Sequence, residues 1–271
     1  MGRLYARDYR TIKSEEKEEY EKILLLEKPE GRKHGRIVQY GLYPEAVKHY
    51  LSLFPNNHLV LSEIKKRNLS ELNECFWQIV HDDKSMERDI TRFIKENGAY
   101  YIIASIFSGC NIPGGHHATY LFPEFELRAN GKTDYRVDYL LLGEGSGGFE
   151  FVFVELESPN IGVTLQNGYP AKGTRSGQFQ IKDWQKWLGE NYSQLTVFFE
   201  KERGDKEELR DEFYKFDSTR MHYVVVSGTR NDYNETSYYS RRKEMQDSGI
   251  ILLHYDNLYD FSNALINLDT F

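Results

Sequence analysis

The sequence predicts an α/β or α+β layered domain preceded by a mainly helical region. Two observations carry this. Between residues 119 and 157 lie three apolar runs separated by glycine turns, and from about 177 onward helical and strand-like patterns alternate to the end of the chain. A third supports it: the composition is globular, with 39% hydrophobic and 28% charged residues, and 20 Tyr and 16 Phe promise a ring-rich core.

The elements follow in order. SEEKEEYEKILLLEKPEGRKHGR reads as a solvated helix or strand ending at the Pro29-Glu30-Gly31 turn. PEAVKHYLSLF sets Ala46, Val47, Tyr50, Leu51 and Phe54 at three-to-four-residue spacing, which is helical, and Asn56-Asn57 breaks it. Residues 59–83 read as one or two further helices carrying Leu69, Leu72, Phe76 and Ile79. Residues 1–80 are thus expected to form a regulatory or assembly region, and 81–271 the main domain.

SMERDITRFIKENG predicts a helix with Ser85 as N-cap, Ile90, Phe93 and Ile94 inward, and Asn97-Gly98 as stop. After CNIPGGHHA, the runs TYLFPEFEL, TDYRVDYLLL and FEFVFVELE predict an antiparallel meander turning at LRANGKT and GEGSGG. A Gly-, Pro- and Thr-containing loop over 160–177 leads to the helix GQFQIKDWQKWLGENY. LTVFF reads as strand or helix continuation, MHYVVVSG as strand, NETSYYSRRKEMQDSG as helix, GIILLHY as strand and DNLYDFSNALINL as a last helix.

Composition excludes several classes. A net charge of −7 argues against a strong, indiscriminate polyanion binder, so such a partner needs a local basic surface or a bound metal. Cys75 and Cys110 are isolated, which predicts free thiols in a reducing compartment. No apolar stretch after Met1 predicts a signal peptide, and none reaches membrane-spanning length; a soluble cytoplasmic protein is expected.

The chemistry sits at the end of FEFVFVELE. Period-two alternation places Phe149, Phe151, Phe153, Glu155 and Glu157 on one face and Val152, Val154 and Leu156 on the other. Both faces are apolar until the strand ends, so the strand is covered on both sides and delivers two acids at its end. Asp138 interrupts a similar run in the preceding strand, and a hairpin brings it beside Glu155. Carboxylates crowded in a low-dielectric spot repel, and a divalent ion removes the conflict, since hard oxygen ligands suit Mg²⁺ or Mn²⁺. The alternative is a strand end that reaches solvent with ordinary exposed acids. A carboxylate pair acting on sugars is a third reading, requiring no metal. His116, His117 and Cys110 match no familiar zinc spacing. Arg241, Arg242 and Lys243 read either as phosphate contacts or as a basic turn on an exposed helix.

The string V-Asp138-Y…V-Glu155-L-Glu157 resembles the core of the PD-(D/E)XK nuclease superfamily. With MERDITRFIKEN, the Q-I-x-D-W helix start (Gln180 to Trp184) and the closing VVVSGTR…RRKEM…GIILLHYDNLYDF, residues 80–265 are similar to the C-terminal domain of Shedu anti-phage defence proteins. That resemblance implies a mixed sheet flanked by helices with a restriction-endonuclease-like core, and a metal-dependent DNA endonuclease. It implies metal binding by Asp138, Glu155 and the backbone carbonyl of Leu156, with Glu87 completing the shell and Gln180 orienting the site. It also implies Mg²⁺ or Mn²⁺ as cofactor, DNA as partner and a homo-oligomer, a tetramer in number. Glu157 stands where the superfamily usually has lysine; Lys182 is one replacement cation, Lys172 and Arg175 are others, and all three are the expected DNA contacts. The lost lysine also motivates a rival reading, a catalytically weak nuclease-fold module that binds or senses DNA.

Overall fold

The computed structural model of the chain describes residues 4–27, 36–163, 171–204 and 208–271. A six-stranded mixed sheet runs in sequence order: β1 (His58–Leu59), β2 (Ala118–Ala129), β3 (Lys132–Gly145), β4 (Gly148–Leu156), β5 (Met221–Val226) and β6 (Ile250–Leu253). The first four strands pair antiparallel, and β4–β5 and β5–β6 are parallel. The expected meander is present. Its turns are tighter than the glycine-rich stretches suggested, because pairing continues to Ala129↔Lys132 and to Gly145↔Gly148. Asn130 and Gly131 both take positive φ, 52° and 78°, the conformation that suits a two-residue hairpin.

Helices cover both faces. Against one lie α5 (Leu69–Val80), α6 (Glu87–Glu96), α7 (Tyr101–Ala104), α8 (Ile106–Gly109) and α11 (Tyr255–Ala264), which pack with Leu141, Val152, Val154 and Leu156 in one core. Against the other lies α9 (Lys172–Glu202), whose Ile181, Trp184, Leu188 and Phe199 meet Leu140, Phe151 and Phe153. The alternation along β4 sorts these residues between the two cores, as period-two geometry requires. Before them in the chain come α1 (Ser14–Glu27), α2 (Arg36–Leu42), α3 (Pro44–Leu51) and α4 (Leu61–Ile64); α10 (Glu235–Ser248) precedes β6.

Several local expectations are corrected. The acidic opening segment takes the helical one of its two expected forms; its Pro29-Glu30-Gly31 turn lies outside the described residues, as does the central part of the loop expected over 160–177. That loop is shorter than expected, because α9 begins at Lys172 rather than Gly177 and runs on through LTVFF. Asn191 leaves helical φ/ψ at φ −128°, and its Nδ2 donates to the Trp187 carbonyl at 3.2 Å, so the long helix is kinked there. The N-cap of α6 is Met86, not Ser85: the Asp89 carboxylate reaches back to accept the Met86 N–H at 3.0 Å. The stop at Asn97-Gly98 is where expected. In α3 the buried set includes Lys48 and His49 as well as Ala46 and Val47. Lys48 is tolerated because its ammonium pairs with Glu63 at 2.6 Å and sits 4.4 Å above the Tyr5 ring. The helical segment before residue 80 shares the main core, since Leu59, Leu61, Leu69, Phe76 and Val80 pack with the sheet.

The aromatic richness is concentrated on the α9 side. Phe54 meets Tyr120, Phe122, Phe199 and Phe213 at ring-centroid separations of 5.3 to 5.7 Å. Trp184, 1% exposed, anchors α9 against the sheet. Trp184→Ala is expected to cost about 3–5 kcal/mol, the range for emptying a buried aromatic site. Urea unfolding measures it, and a cost below about 1 kcal/mol would show that α9 is not held there.

Candidate functional site

The site forms where β3 and β4 part. Their pairing ends at Tyr139↔Val154. One residue further, the side chain of Asp138 replaces the missing backbone acceptor: its Oδ2 accepts the Leu156 N–H at 2.7 Å. That bond sets the Asp138 carboxylate beside the peptide linking Glu155 to Leu156. The two acids therefore meet on neighbouring strands, as the hairpin argument expects. β4 then turns away along β5, with Glu157 N–H donating to the Val226 carbonyl at 2.8 Å and the Tyr255 hydroxyl donating to the Glu157 carbonyl at 2.7 Å.

α9 closes one side. Gly173 and Gly177, one turn apart, turn their bare Cα atoms toward the strand ends. A Cβ on Gly177 would lie 2.9 Å from Val225 Cγ1 and 3.4 Å from Glu157 Oε1, and one on Gly173 would lie 2.7 Å from Ile161 Cγ2 and 3.5 Å from Glu157 Oε2. The glycines let the Glu157 carboxylate rest against the first turns of the helix, where the Gly177 backbone hydrogen-bonds it. One turn on from Gly177, Gln180 hydrogen-bonds Glu155. α6 closes another side and brings Glu87 from its first turn. The loop leading into α6 is tied to the segment after β4 by Asn160, whose Nδ2 donates to the carbonyls of Asp82 and Ser85, each at 2.8 Å.

All four acids titrate high. Burial pushes Glu155 up, and the charges of Asp138, Glu157 and Glu87 push it further. Burial also raises Asp138; the Leu156 amide opposes this, and Glu87 and Glu124 reinforce it. Glu157 is pushed up to about 7 by burial, Glu87 and Asp138. Glu87 is raised by burial. Among the described residues no lysine or arginine shifts these four carboxyls. Glu155 is 7% exposed, and its Oε2 is buried with no hydrogen-bond partner among the described residues. An orphaned buried carboxylate oxygen demands a proton or a cation.

The donor chemistry therefore suits a hard divalent ion, with Asp138 and Glu155 as carboxylate ligands and Leu156 following directly in the chain. The fit is for two carboxylates and not more: among the described residues no three His, Cys, Asp or Glu side chains are disposed to hold one ion.

Glu124 escaped sequence reading. It lies on β2 between the paired residues Pro123↔Tyr139 and Phe125↔Val137, with φ +49°, and its charge acts on Asp138. The signal was Pro123 inside an otherwise regular strand, which demands a bulge or irregularity beside it. Tyr255 and the glycines at 173 and 177 also escaped, because their roles come from long-range packing.

The expected cations are placed differently. Lys182 lies two residues beyond Gln180, about 200° around the helix. It is exposed and pairs with Glu244 of α10 at 3.4 Å, so it does not replace the missing lysine among the carboxyls. Lys172 and Arg175 are exposed on the first turn of α9. With Phe179, Lys182 and Lys186 they form an exposed stripe on the face opposite Gly177 and Trp184, and Phe179 is 59% exposed within it. His116 and His117 stack edge-to-face on each other at 4.4 Å, away from the acids.

Two outcomes test this geometry. Gly177→Ala gains up to about 1 kcal/mol of helix propensity, but the Val225 contact must shift, at a cost of about 1–3 kcal/mol; the expected net result is a lower melting temperature. A raised one would mean that α9 has room to give. The pH dependence has a definite sign. A carboxyl whose folded pKa is raised holds a proton that the unfolded chain has released, so its stabilising contribution is present at acid pH and lost as pH rises through the folded value. In chelator, the wild type should lose stability relative to Glu157→Gln between about pH 5 and 8. Parallel stability curves for the two proteins over that range would refute the crowding.

Residues 84–259 match the family described as Shedu protein SduA, C-terminal. A search of curated proteins returns no match. The match spans the sheet from β2 to β6, the acid-bearing helix α6 and all four carboxyls of the site. The chain belongs to the Shedu family of anti-phage defence proteins.

Proposed function

We infer that the protein is a metal-dependent DNA endonuclease acting in anti-phage defence, with its active site at Asp138, Glu155 and Glu157. The observation that carries this reading is the gathering of four raised carboxyls, without a basic partner among the described residues, around an orphaned Glu155 Oε2. Such a spot is costly for the fold on its own terms and becomes favourable only when a cation or protons fill it.

On this reading Asp138, Glu155 and the Leu156 carbonyl hold Mg²⁺ or Mn²⁺. A bound ion of this kind polarises a phosphoryl oxygen and lowers the pKa of water. The chain's own residues supply the remainder. Asp138 is fixed by the Leu156 amide, so its free oxygen has one direction in which to point. Gln180 orients Glu155 through a hydrogen bond. Glu157, beside that pair, is suited to take a proton from the attacking water, where a lysine would have stabilised charge instead. The stripe of Lys172, Arg175 and Lys186 along α9 supplies cations for a phosphate backbone, which a protein of net charge −7 must present locally. A homo-oligomer, a tetramer in number, is the assembly the family resemblance implies.

The lost lysine and the two-carboxylate ligand set favour one rival, a nuclease-fold module that binds DNA without cutting it. Supercoiled plasmid with Mg²⁺ or Mn²⁺ separates the two. The wild type is expected to nick or linearise it, chelator to stop it, Asp138→Ala and Glu155→Ala to abolish it, and Glu157→Gln to slow it by about 100-fold or more. Plasmid binding by folded wild type with no cleavage under either ion would establish the module instead.

A further inference from the structure

A cavity away from the carboxyl site lies where α8, α10, β6 and α11 meet. Its volume is about 450 Å³, within the range of small-molecule sites. Arg241 and Arg242 line it from α10, and neither guanidinium has a hydrogen bond or ion pair among the described residues. Among the described residues no acidic side chain lines the cavity. One helical turn past the arginines, Met245 and Gln246 project to the same space, and Leu252 and Phe261 form an apolar floor. That floor depends on glycine at 109: a Cβ there would fall 2.1 Å from Phe261 Cγ, so the ring lies directly on the Gly109 backbone.

Two unneutralised guanidinium forks above an apolar floor call for a ligand with two unlike parts. Arginine forks recognise phosphate bidentately, and an aromatic ring buries well against a thioether and a phenyl ring. An inorganic anion would leave the floor and most of the volume unused. A duplex backbone, read by cations spread over an open surface, would leave the concavity unused. Gln246 adds an amide with both donor and acceptor groups, the pattern that pairs with the edge of a purine.

We propose that this cavity binds a nucleoside monophosphate, with Arg241 and Arg242 on the phosphate and the base between Met245 and the Leu252–Phe261 floor. The site is independent of the carboxyl cluster, so its fate does not follow that of the nuclease reading, and binding is measured without added metal. Isothermal titration of the full-length protein with AMP, adenosine and inorganic phosphate tests it. AMP is expected to bind, and each half-ligand to bind at least about tenfold more weakly. Arg241→Gln with Arg242→Gln should weaken AMP by at least about tenfold while leaving the melting temperature of the free protein unchanged. Met245→Trp, at a half-exposed position, should block AMP with both arginines intact by filling the cavity. The proposal is overturned if AMP does not bind, if phosphate alone binds as tightly, or if either variant retains wild-type affinity. It is equally overturned if a short DNA duplex binds in an Arg241- and Arg242-dependent way and AMP does not compete.

Discussion

The contact between Asp138 and the Leu156 amide is what the rest of the site depends on. A backbone N–H at a strand end must find an acceptor. Here the acceptor is a side chain of the neighbouring strand, so the bond that satisfies the ladder also fixes a carboxylate at the point where the strands separate. A strand that ended on a backbone acceptor would leave Asp138 free to swing toward solvent. Glu155 stays inward because its strand is covered on both faces up to that point by two apolar cores.

Crowding of like charges then becomes unavoidable. Glu157 is pressed against α9 by the close approach at Gly173 and Gly177, and Glu87 enters from α6 along a loop tied down by Asn160. Each element is held by contacts outside the cluster, so the acids cannot relax apart. The fold does the work of bringing them together, and the resulting raised proton affinities are its signature. Family membership places the same four residues within the matched segment.

Much of this was legible beforehand because it obeys local rules. The meander follows from apolar runs broken by glycine turns, and the sorting of β4 residues between two cores follows from alternation. The meeting of Asp138 and Glu155 follows from a hairpin of short loop, which leaves few registers. Helix phase also reads against Lys182: two residues from Gln180 is the far side of a helix, where Glu244 of another element pairs with the ammonium. Starting positions of helices were less legible. Met86 displaced Ser85 because the Asp89 carboxylate, a residue inside the helix, supplied the cap, and α9 began early because its first turns pack on Val225 and Ile161.

The sequence by itself determined strands β2 to β6, the two-sided burial of β4 and the pair of acids at its end, since each is encoded within a few residues by period and turn chemistry; β1, at His58–Leu59, it read as helix. Only the tertiary structure decided that Glu87 and Glu124 add their charge to that cluster, that among the described residues no cation joins it, and that two arginines of α10 face a cavity and not an acid. Those outcomes depend on which distant surfaces come to lie against one another, and no spacing along a single chain segment records that.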